Sequence, residues 1–402
     1  MPAAALTRDR LTWLAYGQFA AFGYFFYGFG PVVPLLRVEQ HTSRGVAGLH
    51  GTAFALGGML GGALAPWLVR RFGRQTVTWV GLAGICAGVL GFWALHPLWA
   101  TITVAAVCAV SGTLIINTGV ATLADHHGPA GPASIAEANA LAAAVGLLAP
   151  LAVGATIALG RGWRPGLGAT VVVVALLAAF ALVARVRIPA ARPTPATTTA
   201  GRLPRHYWLA WSCLIATGSV EVSLNLWVAD ELRTHAHASA ATATAAVSVI
   251  IAGMCAGRLA GGWFLLRWAA PRVLLGALAV SAAGFALFWL APARWLAVAG
   301  LVVLGLGNAL HFPLGTSLAV AHSGGQPDLA LSRGAYAMGL AFGVAPFALG
   351  ATADHIGPHA AFLLVPGCLA AAAVIAWRLA RYPVSFAQPS AGPVAIPGQE
   401  LL

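Results

Sequence analysis

The chain has 402 residues, 59% of them hydrophobic and only 8% charged, with a mean hydropathy of +0.84. That balance excludes a soluble globular domain and requires lipid as solvent. The formal charge of +12 comes from 22 basic residues, all of them arginine. They are scattered through separate short segments instead of forming a stripe or tail, which argues against a nucleic-acid surface, and the lack of lysine excludes a Walker phosphate loop and Schiff-base chemistry.

Only Arg8, Asp9 and Arg10 carry charge before the first apolar run, 11–36, which is too long and too aromatic for a cleaved signal and reads as a retained span. Runs at 46–69, 76–95, 98–123, 134–159 and 166–187, bounded by Arg, Pro or Gly, make six spans. Each is close to the roughly 20 residues of helix that cross about 30 Å of hydrocarbon. Residues 188–205, IPAARPTPATTTAGRLPR, read as a linker. Six further runs follow at 206–230, 242–266, 273–291, 295–320, 329–352 and 357–380, and 383–402 reads as a disordered tail. The expected fold is an all-α integral membrane protein, with twelve transmembrane helices in two six-helix pseudo-symmetric halves, 1–187 and 206–382.

With the N-terminus inside, fifteen arginines fall in inside segments and six in outside ones, and Arg258 alone lies within a span. This bias predicts a plasma-membrane protein with both termini, the linker and the tail in the cytoplasm. The five cysteines stand singly in apolar runs and read as small buried hydrophobes.

An internal repeat supports the two halves. An offset of 196 lays Gly119 on Gly315, His126 on His322, Pro150 on Pro346 and Gly154 on Gly350. An offset of 200 lays Gly57, Gly61 and Gly62 on Gly257, Gly261 and Gly262. Duplicated halves imply one site between them.

The loop after the second span reads Pro66-Trp67-Leu68-Val69-Arg70-Arg71-Phe72-Gly73-Arg74-Gln75. It resembles the cytoplasmic signature of the major facilitator superfamily, Gly-x-Leu-x-Asp-Arg-x-Gly-Arg-Arg. Leu68, Arg71, Gly73 and Arg74 match, whereas Pro66 replaces the family's Gly and Arg70 its Asp, which weakens the charge relay expected of this loop. On physical grounds alone, Gly73 supplies the turn, and the arginines can cap helix carbonyls or anchor at headgroups.

The resemblance implies that spans 1, 4, 7 and 10 line a central cavity. Polar residues on those spans are Gln18, Asn117, Thr118, Glu221, Asn225, Asn308 and His311. The spacing of Glu221/Asn225 and Asn308/His311 predicts that each pair shares a helix face. Glu221 is the leading candidate, because a carboxylate near mid-membrane is tolerated where it faces a cavity, a partner or a proton path. Its alternative role is a static salt bridge to Arg258, which is itself a packing, gating or anion-binding residue. Asp125, Glu137 and Arg333 sit at the cytoplasmic side, where Glu137 and its repeat-mate Arg333 are placed either to close that side or to be solvated at headgroup level. His126-His127 and His235-x-His237 have spacings that could bind metal, but lone histidine pairs in loops seldom do, so no metal and no cofactor are expected.

Span 5, Gly146 to Gly154 through Pro150, resembles that of drug:proton antiporters, and Gly218-Ser219-Val220-Glu221 with Trp227 loosely resembles sugar:proton symporters related to fucose permease. The expected function is secondary active transport of a small organic solute, coupled to protons, by a monomer surrounded by lipid. Drug efflux by proton antiport is the alternative, followed by a non-transporting receptor or a subunit of an ATP-driven transporter. No nucleophile-base or metal constellation points to an enzyme.

Overall fold

A computed structural model describes residues 6–190, 202–265 and 267–382. The middle of the expected linker and the whole expected tail lie outside the described residues. The first half consists of α1 (Arg10–Glu39), α2 (Arg44–Phe72), α3 (Arg74–Ala94), α4 (Leu98–His127), α5 (Gly131–Gly146), α6 (Leu148–Ala158) and α7 (Arg164–Val183). The second consists of α8 (Arg205–Thr234), α9 (Ala240–Leu265), α10 (Ala270–Trp289), α11 (Arg294–Asn308), α12 (His311–Ala321), α13 (Pro327–Ile356), α14 (Pro358–Ala361) and α15 (Leu364–Ala380). Among the described residues, eleven stretches are long and apolar enough to cross a membrane. One of them, Leu98–Ala158 at 61 residues, is far too long for a single crossing and folds back at the 3₁₀ turn Gly128–Ala130, which gives twelve passes.

Three passes are broken where the sequence suggested continuous spans. α5 and α6 form the fifth pass, α11 and α12 the tenth, and α14 and α15 the twelfth, with breaks at Leu147, at Ala309–Leu310 and at Phe362–Leu363. Each break precedes a proline, namely Pro150, Pro313 or Pro366. A proline cannot donate to the carbonyl four residues back, which takes that partner from Gly146, Ala309 and Phe362; the Phe362 carbonyl accepts from the Val365 N–H at 2.9 Å instead. Pro31, Pro34, Pro66 and Pro346 stay inside unbroken helices.

The even number of passes puts Arg8 and Arg381 at one end of the bundle, here the terminal end; the opposite one is the far end. At the terminal end the Asp9 side chain caps α1 by accepting from the Thr12 N–H at 2.9 Å and the Thr12 hydroxyl at 2.7 Å. Asp9 also receives His126 at 2.8 Å, and Arg8 grips Glu137 through two hydrogen bonds of 2.9 and 2.6 Å. The residues before α1 are thereby tied to α4 and α5. Partial burial works to raise the Asp9 pKa, but the Thr12 and His126 hydrogen bonds outweigh it and hold the carboxyl below its ordinary value.

Within each half, glycines let helices approach backbone to backbone, the favoured packing in lipid. The contacts repeat across the duplication. A Cβ on Gly57 would strike the backbone of Ala106 and one on Gly61 that of Val110; at the same offset of 200, Gly257 would strike the backbone of Leu306 and Gly261 the side chain of Leu310. The internal repeat is therefore a repeat of packing as well as of sequence.

These contacts can be tested by substitution. Gly57→Leu and Gly257→Leu should each destabilise the protein by about 1–3 kcal/mol, the usual cost of overpacking, seen as similar drops in Tm in detergent. Asp9→Ala should cost about 0.5–2 kcal/mol by loss of the cap. Because the folded-state pKa of Asp9 is lowered, its contribution is present above the ordinary carboxylate range and fades as pH falls through the folded value. The Tm gap between wild type and Asp9→Ala should shrink as pH is lowered from 7 toward 3.

Candidate functional site

The two halves meet most tightly between mid-bundle and the far end. A Cβ on Gly154 would lie 2.7 Å from the Ala241 carbonyl oxygen, and one on Gly350 would lie 2.5 Å from that of Arg44, so α6 abuts α9 and α13 abuts α2 through related glycines. Gly48 similarly meets Phe347 and Pro346. Asp230, its side chain 2% exposed, receives Arg37 at 3.1 Å and Arg44 at 2.7 Å from the other half. Asp354 accepts the backbone N–H groups of Arg44 and Gly45, both at 2.8 Å, at the positive N-terminal end of α2. Thr52 donates to the Gly343 carbonyl at 2.5 Å, and Ser248 to that of Leu147 at 2.7 Å. These hydrogen bonds join the halves away from the terminal end.

Just inside this closure a cavity opens between the halves. Phe26 and Tyr27 of α1 form one wall; Glu221 and Asn225 of α8, Asn308 of α11 and Phe342 of α13 form the other, with Val247, Ile250, Ile251 and Met254 of α9 between them. About 20 Å³ is open to the centres of water-sized spheres, enough for about one water. Glu221 and Asn225 share a face of α8, as their spacing predicted. Tyr27 and Arg258 both stand within electrostatic range of Glu221. The Asn225 and Asn308 carboxamide oxygens are buried without a partner, and the Asn308 amide makes only a 3.7 Å contact to the Met254 sulfur. Gly30 permits this arrangement, since a Cβ there would lie 2.5 Å from the Asn225 side-chain oxygen.

Other candidates stand elsewhere. Among the described residues no ion pair within 4.0 Å joins Glu221 to Arg258, so the static bridge is not formed in this conformation. His311 does not share a face with Asn308, because the break at Ala309–Leu310 turns it to Ser281 of α10, at 3.2 Å. Gln18 is buried within the first half with its amide nitrogen unpaired. Asn117 is exposed and is not part of the cavity wall, whereas its neighbour Thr118 is buried and accepts a hydrogen bond from Thr78 of α3.

In the loop after α2, Gly73 adopts φ +80° and makes the turn. Arg70 and Arg71 are exposed, and Arg74 is buried and pairs with Asp125 of α4 at 2.8 Å. An acid on α4 thus serves the loop, which itself carries none. Glu137 pairs with Arg8 and also accepts from Tyr16 at 2.8 Å, while Arg333 is exposed beside Tyr336, so the expected opposition of Glu137 and Arg333 is not made here. Sequence reading missed Tyr27 and Phe26, hidden among many aromatics on α1, and Asp230, whose arginine partners lie in the other half. A larger groove of about 600 Å³ beside α9 and α10 is almost wholly apolar and gathers no polar cluster.

The Major Facilitator Superfamily model matches residues 15–232 and 209–398. Among solved structures, the chain is similar to a point mutant of the nucleoside transporter NupG, with TM-score 0.73 and 13% identity over 92% of this chain and 98% of that one. It is also similar to a bacterial homologue of the human lysosomal transporter Spinster, with TM-score 0.72, 14% identity and coverage of 94% and 98%. The E. coli fucose:proton symporter FucP, likewise solved as a point mutant, gives TM-score 0.61, 17% identity and coverage of 92% and 98%. A search of curated proteins gave no match. Family and fold agree with the buried, twelve-pass architecture, and the chain, a multi-pass membrane transporter and not an enzyme, belongs to the Major Facilitator Superfamily.

Proposed function

We propose that this secondary transporter moves a small, neutral, hydroxyl-bearing solute together with protons, by alternating access. The observation that carries the reading is the cavity between the halves, where Glu221 sits with Asn225 and Asn308 and both carboxamides keep an unpaired oxygen. A carboxamide both accepts and donates, which suits a hydroxyl or amide edge, and unpaired buried polar atoms are costly unless a ligand or water satisfies them. Phe26 and Phe342 offer flat apolar surface to a sugar ring or base. The likeness to a nucleoside transporter and to a fucose:proton symporter supports the same solute class.

Glu221 is the proposed proton carrier. It is held in the closed cavity beside Tyr27 and near Arg258, so exposure to one side or the other changes the environment that sets its protonation. The arginine bias supports a plasma-membrane orientation with the terminal end in the cytoplasm. On that orientation the outer gate is shut by Asp230, Asp354 and the paired glycines, and the solute path opens inward. The halves are taken as 1–187 and 206–382, moving about this closure as a single-chain monomer. The apolar wall of Val247, Ile250, Ile251 and Met254 favours the second reading, antiport of a lipophilic compound.

Two experiments test this. In proteoliposomes with an internal pH dye, sugars and nucleosides should drive inward proton flux, and Glu221→Gln should abolish it while solute binding persists. Lipophilic cations driving outward counterflow would support antiport instead, and solute movement without protons, with Glu221→Gln lowering only stability, would reduce the protein to a facilitator. Asp230→Asn should release Arg37 and Arg44 and favour the far-end-open state. Hydrogen–deuterium exchange of the first turn of α2 should then accelerate at least ~10-fold, as expected if about 1.4 kcal/mol or more of the 3–5 kcal/mol at stake in a broken buried pair reaches that equilibrium.

A further inference from the structure

Three side chains that the transport site does not use converge at the far end of the second half. Glu231 lies in the last turn of α8 and His235 is the residue that caps it, one turn on, its N–H donating to the Glu231 carbonyl at 2.8 Å. His359, in α14 and 128 positions from Glu231, meets the Glu231 carboxylate at 2.7 Å and stacks on His235 with ring centroids 3.8 Å apart. One ligand atom from each of the three lies within 4.8 Å of the other two.

We propose that Glu231, His235 and His359 form a binding site for a borderline divalent transition-metal cation of the zinc type. Two imidazoles and a carboxylate are a donor set that zinc accepts, with ligand distances of about 2.0–2.2 Å and a fourth position left to water. The two imidazoles are nearly parallel, at 9°, so the exposed His235 ring must swing to aim a nitrogen at an ion held by Glu231 and His359, which takes the place of the proton between them.

Two further observations point to a cation. Glu231 is 3% exposed, and its second carboxylate oxygen is buried with no hydrogen-bond partner, so a neutral histidine leaves this group half satisfied. The site also opens on a cleft of about 430 Å³ bordered by Glu231, His235, His237 and Arg294, which gives a hydrated ion a way in and a water its place. Trp289 supplies the outer support: its indole N–H donates to the His359 carbonyl at 2.9 Å, and its ring stacks on the imidazole at 4.5 Å. Such supporting contacts fix a ligand's orientation before the metal arrives. The bound ion ties the end of α8 to the start of the twelfth pass, next to Asp230 of the outer gate.

The test uses the full chain, purified without a histidine tag, stripped of metal and held in detergent. One equivalent of Co²⁺ should give the intense visible bands of a four- or five-coordinate site, and Zn²⁺ should displace them. His235→Ala, whose ring lies at the surface, and His359→Ala should each weaken Zn²⁺ binding at least ~10-fold in competition with a chelating dye. If wild type shows only the pale spectrum of octahedral Co²⁺, the site does not exist, and this readout needs no variant to fold. Bands and affinity that persist in monodisperse His235→Ala would place the metal on other histidines and overturn the assignment.

Discussion

In lipid, an apolar side chain gains little by leaving its surroundings for another helix, so helices associate through close contact and a few polar bonds. The fold depends on that constraint. Glycines at related positions of the two halves bring α2 against α4 and α9 against α11, and a second related set brings α6 against α9 and α13 against α2. The first set builds each half; the second joins them. The ion pairs named above and the polar cavity residues fall at three levels: a rim at the terminal end around Arg8, Asp9 and Arg74, a central cavity around Glu221, and a far rim around Asp230.

The architecture was readable because the punctuation is chemical. Arginine, proline and glycine mark the ends of nearly every apolar run, and the helices begin and end within a few residues of them. The breaks at Leu147, Ala309–Leu310 and Phe362–Leu363 were less readable. Pro150, Pro313 and Pro366 interrupt their helices, whereas Pro31, Pro34, Pro66 and Pro346 do not, and that difference rests on neighbouring passes that no local pattern reveals.

The site was legible in part for the same reason. Glu221 and Asn225 sit in a continuous stretch of α8, so their helical spacing holds and both reach the cavity. Asn308 and His311 have an equally good spacing on paper, but the helix breaks between them and only Asn308 arrives. Long-range partners were illegible: nothing local couples Arg74 to Asp125, Arg44 to Asp230 or Glu231 to His359. These pairs depend on how the passes are arranged around one another.

The ion pairs at the two rims have one chemical asymmetry. Every permanent cation in them is an arginine, because the chain has no lysine, and a guanidinium stays protonated at any pH a cell meets. Alkali therefore cannot unlock these arginine pairs by discharging the cation. Acid can, through the carboxylates, so the arginine pairs respond to acidity in one direction only and tolerate basic surroundings.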